Sequence, residues 1–316
     1  MSELLIGTGR GVYRLGNDGS IQQEEGPPTV AFLTRAHEGT LVVTQQGALW
    51  HRTGGDGWQR VHERPVAEDI WAFSADPRVP GRLYLGVSPA LLYWSDDGGA
   101  NWKACEAIRC IPGYESWTFP PPPHIPHVRS VAADPQVVGA VYIGVEEGGI
   151  YRSGDRGETW ESLNEGLYWD VHTVTPAPQG GPLYATTGRG FYRSDDGGRQ
   201  WRHLMAGLDR RYTVPLVASP RQPGRLYTAA AAGPPPSWRQ GANAALYRSD
   251  DGGEHWVRLE QGLPQQFDTM VRQIAVDDAE TLYIAAGSEL FISQDEGDSW
   301  RRLAGELPTV QALAVL

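Results

Sequence analysis

Ser249-Asp250-Asp251-Gly252-Gly253-Glu254-His255-Trp256 decides the fold, because the chain repeats it. Read as Ser-x-Asp-x-Gly-x-x-Trp, it recurs at Ser95–Trp102, Ser153–Trp160, Ser194–Trp201 and Ser293–Trp300. Five copies of one eight-residue pattern mark a repeat architecture, which has to be settled before any other reading. The residue types specify a tight hairpin turn. Asp accepts backbone N–H groups within the turn, Gly takes a positive φ that a Cβ would oppose, and Trp opens the next strand and packs beneath.

The flanking sequence repeats as well. Leu83-Tyr84-Leu85-Gly86 returns as Val141-Tyr142-Ile143-Gly144, Leu183-Tyr184-Ala185-Thr186, Leu226-Tyr227-Thr228 and Leu282-Tyr283-Ile284-Ala285. A second short strand follows each, such as Gly149–Arg152, and leads into the motif; a further apolar strand precedes each, such as Val128–Ala132. One unit is therefore strand A, strand B, strand C, the Asp turn and strand D, a four-stranded antiparallel blade. Units fall near 29–63, 69–104, 127–163, 170–204, 212–259 and 271–303. Residues 4–24 supply B, C and D without an A, and Val310–Val315 supplies an A with nothing after it. Joining the two closes a ring and leaves no open sheet edge. The expectation is an all-β, seven-bladed β-propeller over residues 1–316 as a single domain. Two turns are degenerate: His51–Trp58 keeps Gly55 and Trp58 without the Asp, and Leu15-Gly16-Asn17-Asp18-Gly19 lacks the Trp.

Composition narrows the function classes. A net charge of −11 with no basic stripe argues against a nucleic-acid partner. Cys105 and Cys110 are too few for a secreted disulfide framework and read as free thiols. The first residues lack the basic and apolar regions of a signal peptide, and no apolar run reaches the ~20 residues of a membrane span. A cytoplasmic, monomeric protein is expected, without membrane contact.

Two Pro-rich insertions, about 104–126 and 229–244, fall in D-to-A and B-to-C connections. These connections lie on the face opposite the Asp turns, around the mouth of the central channel, where binding residues on a rigid scaffold are expected. Glu115, Trp117, His124, His127, Arg129, Glu146, Glu147, Trp169, Asp170 and His172 gather on one arc; Arg10, Arg189, Arg211, Tyr212 and Arg272 lie further round. His127 and Arg129 are two apart in an inner strand and share a direction, as do Asp170 and His172. Glu115 with Asp170 or Glu146 offers an acid and a nucleophile or base, with His172 as a further catalytic candidate; solvated loop carboxylates are the alternative. Trp117, Trp169 and Trp238 either stack on a sugar ring or plug loops onto the disc. Arg129, Arg189, Arg211, Arg272, Tyr212 and His127 are ligand-binding candidates. His124, His127 and His172, with Glu146, offer a divalent metal set, against hydrogen-bonded histidines.

The repeated motif is similar to the BNR or Asp-box repeat of sialidases, xyloglucanases, sortilin-like receptors and the photosystem II stability factor group. That resemblance implies a propeller whose boxes lie away from the active site. Sialidases add a Phe/Tyr-Arg-Ile-Pro segment and an arginine triad. The segment is absent here, and no motif assigns Arg129, Arg189, Arg211 or Arg272 to a triad. Glu115-Ser116-Trp117 and Trp169-Asp170-Val171-His172 resemble segments of bacterial BNR-repeat glycosyl-hydrolase-like proteins. The leading expectation is a small polar ligand, sugar-like or anionic, at the channel mouth, with hydrolase or lyase chemistry but not a typical sialidase. A non-catalytic protein-interaction scaffold is the first alternative, and a His-ligated metal-dependent enzyme the second.

Overall fold

Each repeated phrase becomes one blade in the computed structural model of the protein, which describes residues 3–316 other than Asn17, Gly55 and Ala304. The described residues form seven four-stranded antiparallel sheets. Blade 1 joins Val310–Val315 to Leu4–Thr8, Gly11–Leu15 and Ile21–Gln23. Blades 2 to 7 begin with the A strands Phe32–Ala36, Asp69–Ala75, Val128–Ala133, Val171–Pro176, Tyr212–Ala218 and Val271–Val276. Each A strand packs against the A strands of both neighbouring blades, all the way round, so the ring is closed. The C-terminal strand pairs antiparallel with Leu4–Thr8 and packs against the A strands of blades 2 and 7.

The B strands are buried on both faces, which is why their phrases are nearly continuous in apolar residues. Their tyrosines, Tyr84, Tyr227 and Tyr283, fill the seams between blades. Gly86 sits where blade 4 comes closest: a Cβ there would lie 2.6 Å from the Val128 carbonyl oxygen.

The Asp-box turn is built alike in all five copies. In Ser249–Trp256, Ser249 Oγ donates to Asp251 Oδ1 and accepts the N–H of Gly253 at 2.8 Å, while Asp251 Oδ1 accepts the N–H of His255. The Trp does more than pack beneath its own turn. The N–H groups of Trp201, Trp256 and Trp300 donate to the carbonyls of Glu165, Ala206 and Gln261, in the D-to-A loop of the preceding blade. A Gly-Leu pair follows each acceptor, at 166–167, 207–208 and 262–263. In these three blades the box thus locks one blade to the one before it. Where it degenerates, a different lock appears: Glu24 accepts from Trp58 Nε1 at 2.9 Å and pairs with the buried Arg52 at 2.8 Å. Asn17 and Gly55 of the two degenerate turns lie outside the described residues.

These turns make stability acid-sensitive. The Asn101 side chain and N–H, with Ser95, hold the Asp97 carboxyl down at about 2, and the same pattern lowers Asp155, Asp196 and Asp295. At Asp251 burial acts in the opposite sense, and the bonds from His255 and Ser249 outweigh it. A folded-state value below the unfolded one, about 3.9 for Asp, means that the stabilisation is present above that value and is lost as pH falls through the folded value. Melting temperature should therefore be level down to about pH 5 and drop between about 4 and 2. An Asp97→Asn, Asp155→Asn double variant should show a shallower drop in the same calorimetric pH series; an unchanged slope would remove this explanation.

Helical structure among the described residues is limited to three short 3-10 turns, at Glu106–Cys110, Tyr114–Ser116 and Pro235–Gln240. Among the described residues, no helix is long and apolar enough to cross a membrane. Cys105 is buried, Cys110 is exposed, and they are not bonded to each other.

Candidate functional site

The box turns share one face with the A-to-B turns: Gly98 N–H donates to Gly81 and Arg156 N–H to Gly139. The insertions stand on the other face. The first follows strand Lys103–Ala104 and the second follows Leu226–Ala231, so Ala229–Ala231, expected in the insertion, are strand residues. Buried Ile108, Ile111 and Trp117 pin the first insertion to the disc. Trp117 Nε1 donates to Tyr151 Oη at 3.0 Å and its ring packs on Tyr114 and Tyr151. Of the two roles open to Trp117, loop anchor is the one its burial fits.

On this face the A strands share a local irregularity. In blades 3, 4, 5 and 7 the A–B register slips by one residue at the second or third strand position, leaving Trp71, Arg129, His172 and Arg272 unpaired. Blade 1 slips in the same way at Gln311. A bulge bends its strand and re-aims the extra residue. Four bulged residues, from four blades, therefore line the mouth of the channel. Arg129, His172 and Arg272 were legible as candidates, whereas Trp71 was not; its signal was its place in an apolar phrase parallel to Val128-Arg129 and Val171-His172.

The bulged residues of blades 4 and 5 meet a knot of acids. Glu146 Oε2 accepts from His127 Nε2 at 3.0 Å and from the Arg129 guanidinium. Burial opposes ionisation of Glu146, but the His127 hydrogen bond and the Arg129 charge outweigh it and hold the carboxyl at about 2. A carboxyl so placed stays ionised at neutral pH and has no proton to donate. Burial keeps His127 below the ordinary imidazole value against the pull of Glu146, so the ring is a neutral Nε2–H donor. Glu147, at a left-handed φ of 50°, is pushed upward by burial and by Asp170 and Glu146.

His172 is buried; its Nδ1 lies against the Thr213 carbonyl, and its Nε2 is 3.3 Å from Asp170 Oδ1. The pairs expected to share a direction thus do meet, His127 with Arg129 on Glu146, and Asp170 with His172. Among the described residues, the group of acids and histidines whose ligand atoms come together is Glu146, Asp170 and His172, all within 4.8 Å. His124 and His127 stand outside it. His124, exposed at a left-handed φ of 65°, keeps Nδ1 2.8 Å from the Phe119 carbonyl.

Aromatic groups wall the mouth. Trp71 stacks on His127 at 3.6 Å, and Phe119 meets His127 edge-on at 4.7 Å. Across the channel, Arg272 lies 5.3 Å over Trp238, which meets Tyr212 edge-on. Tyr212 packs 4.5 Å from His172, tying the two sides together. Arg272 has no ion-pair partner among the described residues, although its side chain is accessible to solvent. Protein crowds it on most sides, and that crowding, with the Arg129 charge, lowers its guanidinium below the ordinary arginine value. Accessible yet enclosed is the condition of a channel lining. Trp169 is 47% exposed, Arg189 covers Tyr168 at 4.4 Å, and Arg211 is exposed. Glu115 is exposed on its 3-10 turn and makes no hydrogen bond or ion pair among the described residues.

Residues 93–104, the first full box and the strand before it, match the BNR/Asp-box repeat family. No curated protein matches the chain. Among solved structures, the chain is similar to YCF48 bound to D1 peptide, with 18% identity, 86% of this chain and 81% of that chain covered, and a TM-score of 0.60. YCF48 from Cyanidioschyzon merolae is similar at 17% identity, covering 86% and 84%, with a TM-score of 0.57. The GH74 xyloglucanase from Xanthomonas campestris is similar at 16% identity with a TM-score of 0.70; all of this chain matches 52% of that one, so it spans about half the enzyme's length. The chain is a propeller with BNR/Asp-box repeats.

Proposed function

We propose that the insertion-bearing mouth of the channel binds a small polar ligand carrying an anionic group. One observation carries this reading: Arg272, solvent-accessible yet enclosed, has a lowered guanidinium value and no carboxylate partner among the described residues, beside Arg129 and between Trp238 and Tyr212. A carboxylate or phosphate there would give Arg272 the charge it lacks, and the aromatic walls would bury the ligand's apolar face. What supports binding over turnover is that Glu146 is ionised and doubly held and that Glu115 is exposed. The similarity to a xyloglucanase supports the fold of this reading and not its chemistry.

Calorimetric titration with glucuronate, against glucose as the neutral control, tests the proposal. Glucuronate should bind more tightly than glucose, and Arg272→Gln should weaken it at least tenfold, the loss of about 1.5–3 kcal/mol from a hydrogen bond to a charged group. Equal affinity for the two sugars, or an unchanged Arg272→Gln, would sink it.

The second reading is a peptide-binding platform. Exposed Trp71 and Trp169 on this face favour it, as does the similarity to YCF48, whose structure holds the D1 peptide. It predicts that an acidic peptide binds while glucuronate does not.

A further inference from the structure

The geometry points to a divalent transition-metal site, of the kind zinc fills, formed by Glu146, Asp170 and His172 at the channel mouth. It stands apart from the ligand reading, which rests on Arg272 and the aromatic walls.

Two buried polar atoms face each other here, and neither has a hydrogen-bond partner. His172 Nδ1 lies against the Thr213 carbonyl, which can only accept, so Nδ1 carries a hydrogen and Nε2 is the ring nitrogen free to ligate. Nε2 is buried, has no hydrogen-bond partner and lies 3.3 Å from Asp170 Oδ1, which is likewise buried and unpartnered. Ligands bonded at about 2.1 Å to one metal are separated by edges of about 3.0–3.4 Å, so the spacing of His172 and Asp170 is that of two vertices of one coordination sphere. A Glu146 carboxylate oxygen lies within 4.8 Å of both.

The surroundings are those that orient metal ligands. A ligating imidazole ordinarily donates its other N–H to a carbonyl or carboxylate, as His172 does to Thr213. Glu146 is held through Oε2 by His127 and Arg129, which leaves Oε1 without a hydrogen bond among the described residues. The local charge is also right: two carboxylates, Glu146 and Asp170, converge on the point, which offsets Arg129. One nitrogen and carboxylate oxygens from three side chains leave a position for water, which suits zinc better than calcium, with its six to eight oxygens.

The test uses the full chain, purified without a histidine tag, stripped with chelator and titrated with zinc chloride in a calorimeter. One zinc per chain should bind and raise the melting temperature. Asp170→Asn, which preserves shape, should weaken zinc at least tenfold, as should His172→Gln, whereas His124→Gln should bind as the parent does. Circular dichroism establishes that Asp170→Asn is folded, so its result stands even if His172→Gln is not. Absence of stoichiometric zinc in the parent chain would overturn the site, as would zinc binding that Asp170→Asn leaves unchanged.

Discussion

A chain ending after Thr309 should fail to form the native ring. The missing strand, Val310–Val315, is the innermost of blade 1; it buries Val310, Ala312 and Ala314 and pairs with Leu4–Thr8. Without it the fully buried Leu4–Thr8 becomes an unpaired edge, and the A strands of blades 2 and 7 lose the neighbour between them. An apolar exposed edge is a template for aggregation. A net stability of about 5–15 kcal/mol cannot absorb that loss. Size-exclusion chromatography should show aggregate or expanded chain and circular dichroism no cooperative melt, and a synthetic peptide of residues 309–316 should partly restore the melt. A truncated chain melting within a few degrees of the parent would show that the ring is held shut by something else.

The second large effect concerns the clasp between blades. Gly262 adopts φ +81°, and a Cβ there would lie 1.9 Å from the Trp300 carbonyl oxygen, a backbone atom that cannot turn aside. Gly262→Ala must therefore bear the left-handed backbone and also part blade 6 from blade 7, breaking the Trp300 N–H bond to Gln261. Gly197 has a similar φ, +75°, with nothing within 4 Å of its would-be Cβ. The backbone term alone is about 1–2 kcal/mol, so Gly197→Ala should cost about that much. Gly262→Ala should cost about 3 kcal/mol or more, with Gly207→Ala behaving alike against Trp256. Denaturant melts of the three variants decide the matter: equal losses at Gly197 and Gly262 would mean that φ, and not the clasp, is what these glycines serve.

Blade number and ring closure were readable because both rest on local chemistry that repeats: the Ser-Asp-Gly-Trp turn, the Leu-Tyr strand phrase, and a final A strand without partners of its own. The face of the mouth followed from which connections lie at each end of an antiparallel blade. What the sequence hid depends on partners. The bulges at Trp71, Arg129, His172 and Arg272 arise from a slip between two strands, and no single strand displays it. Hence Trp71 passed as an ordinary strand residue. The Gly-Leu clasps are legible only in the structure, because their partner is the next blade's Trp. Trp117 illustrates a different limit: an aromatic in a Pro-rich insertion looks the same as a stacking platform or as an anchor until its burial is known. The histidines were singled out by type, yet His172 meets Asp170 and Glu146 rather than His124 and His127, because the bulge of blade 5 and the Thr213 carbonyl aim it.

The central claim is that function resides at the mouth opposite the boxes, with Arg272 at its heart. Indole N–H spectra of the tryptophans, recorded by NMR during titration with glucuronate, address it most directly. Trp238, beneath Arg272, should shift strongly, and Trp71 with it, while the box tryptophans Trp102, Trp160, Trp201, Trp256 and Trp300 stay in place. Shifts confined to the box tryptophans, or none at Trp238 under conditions where binding is saturated, would contradict the account.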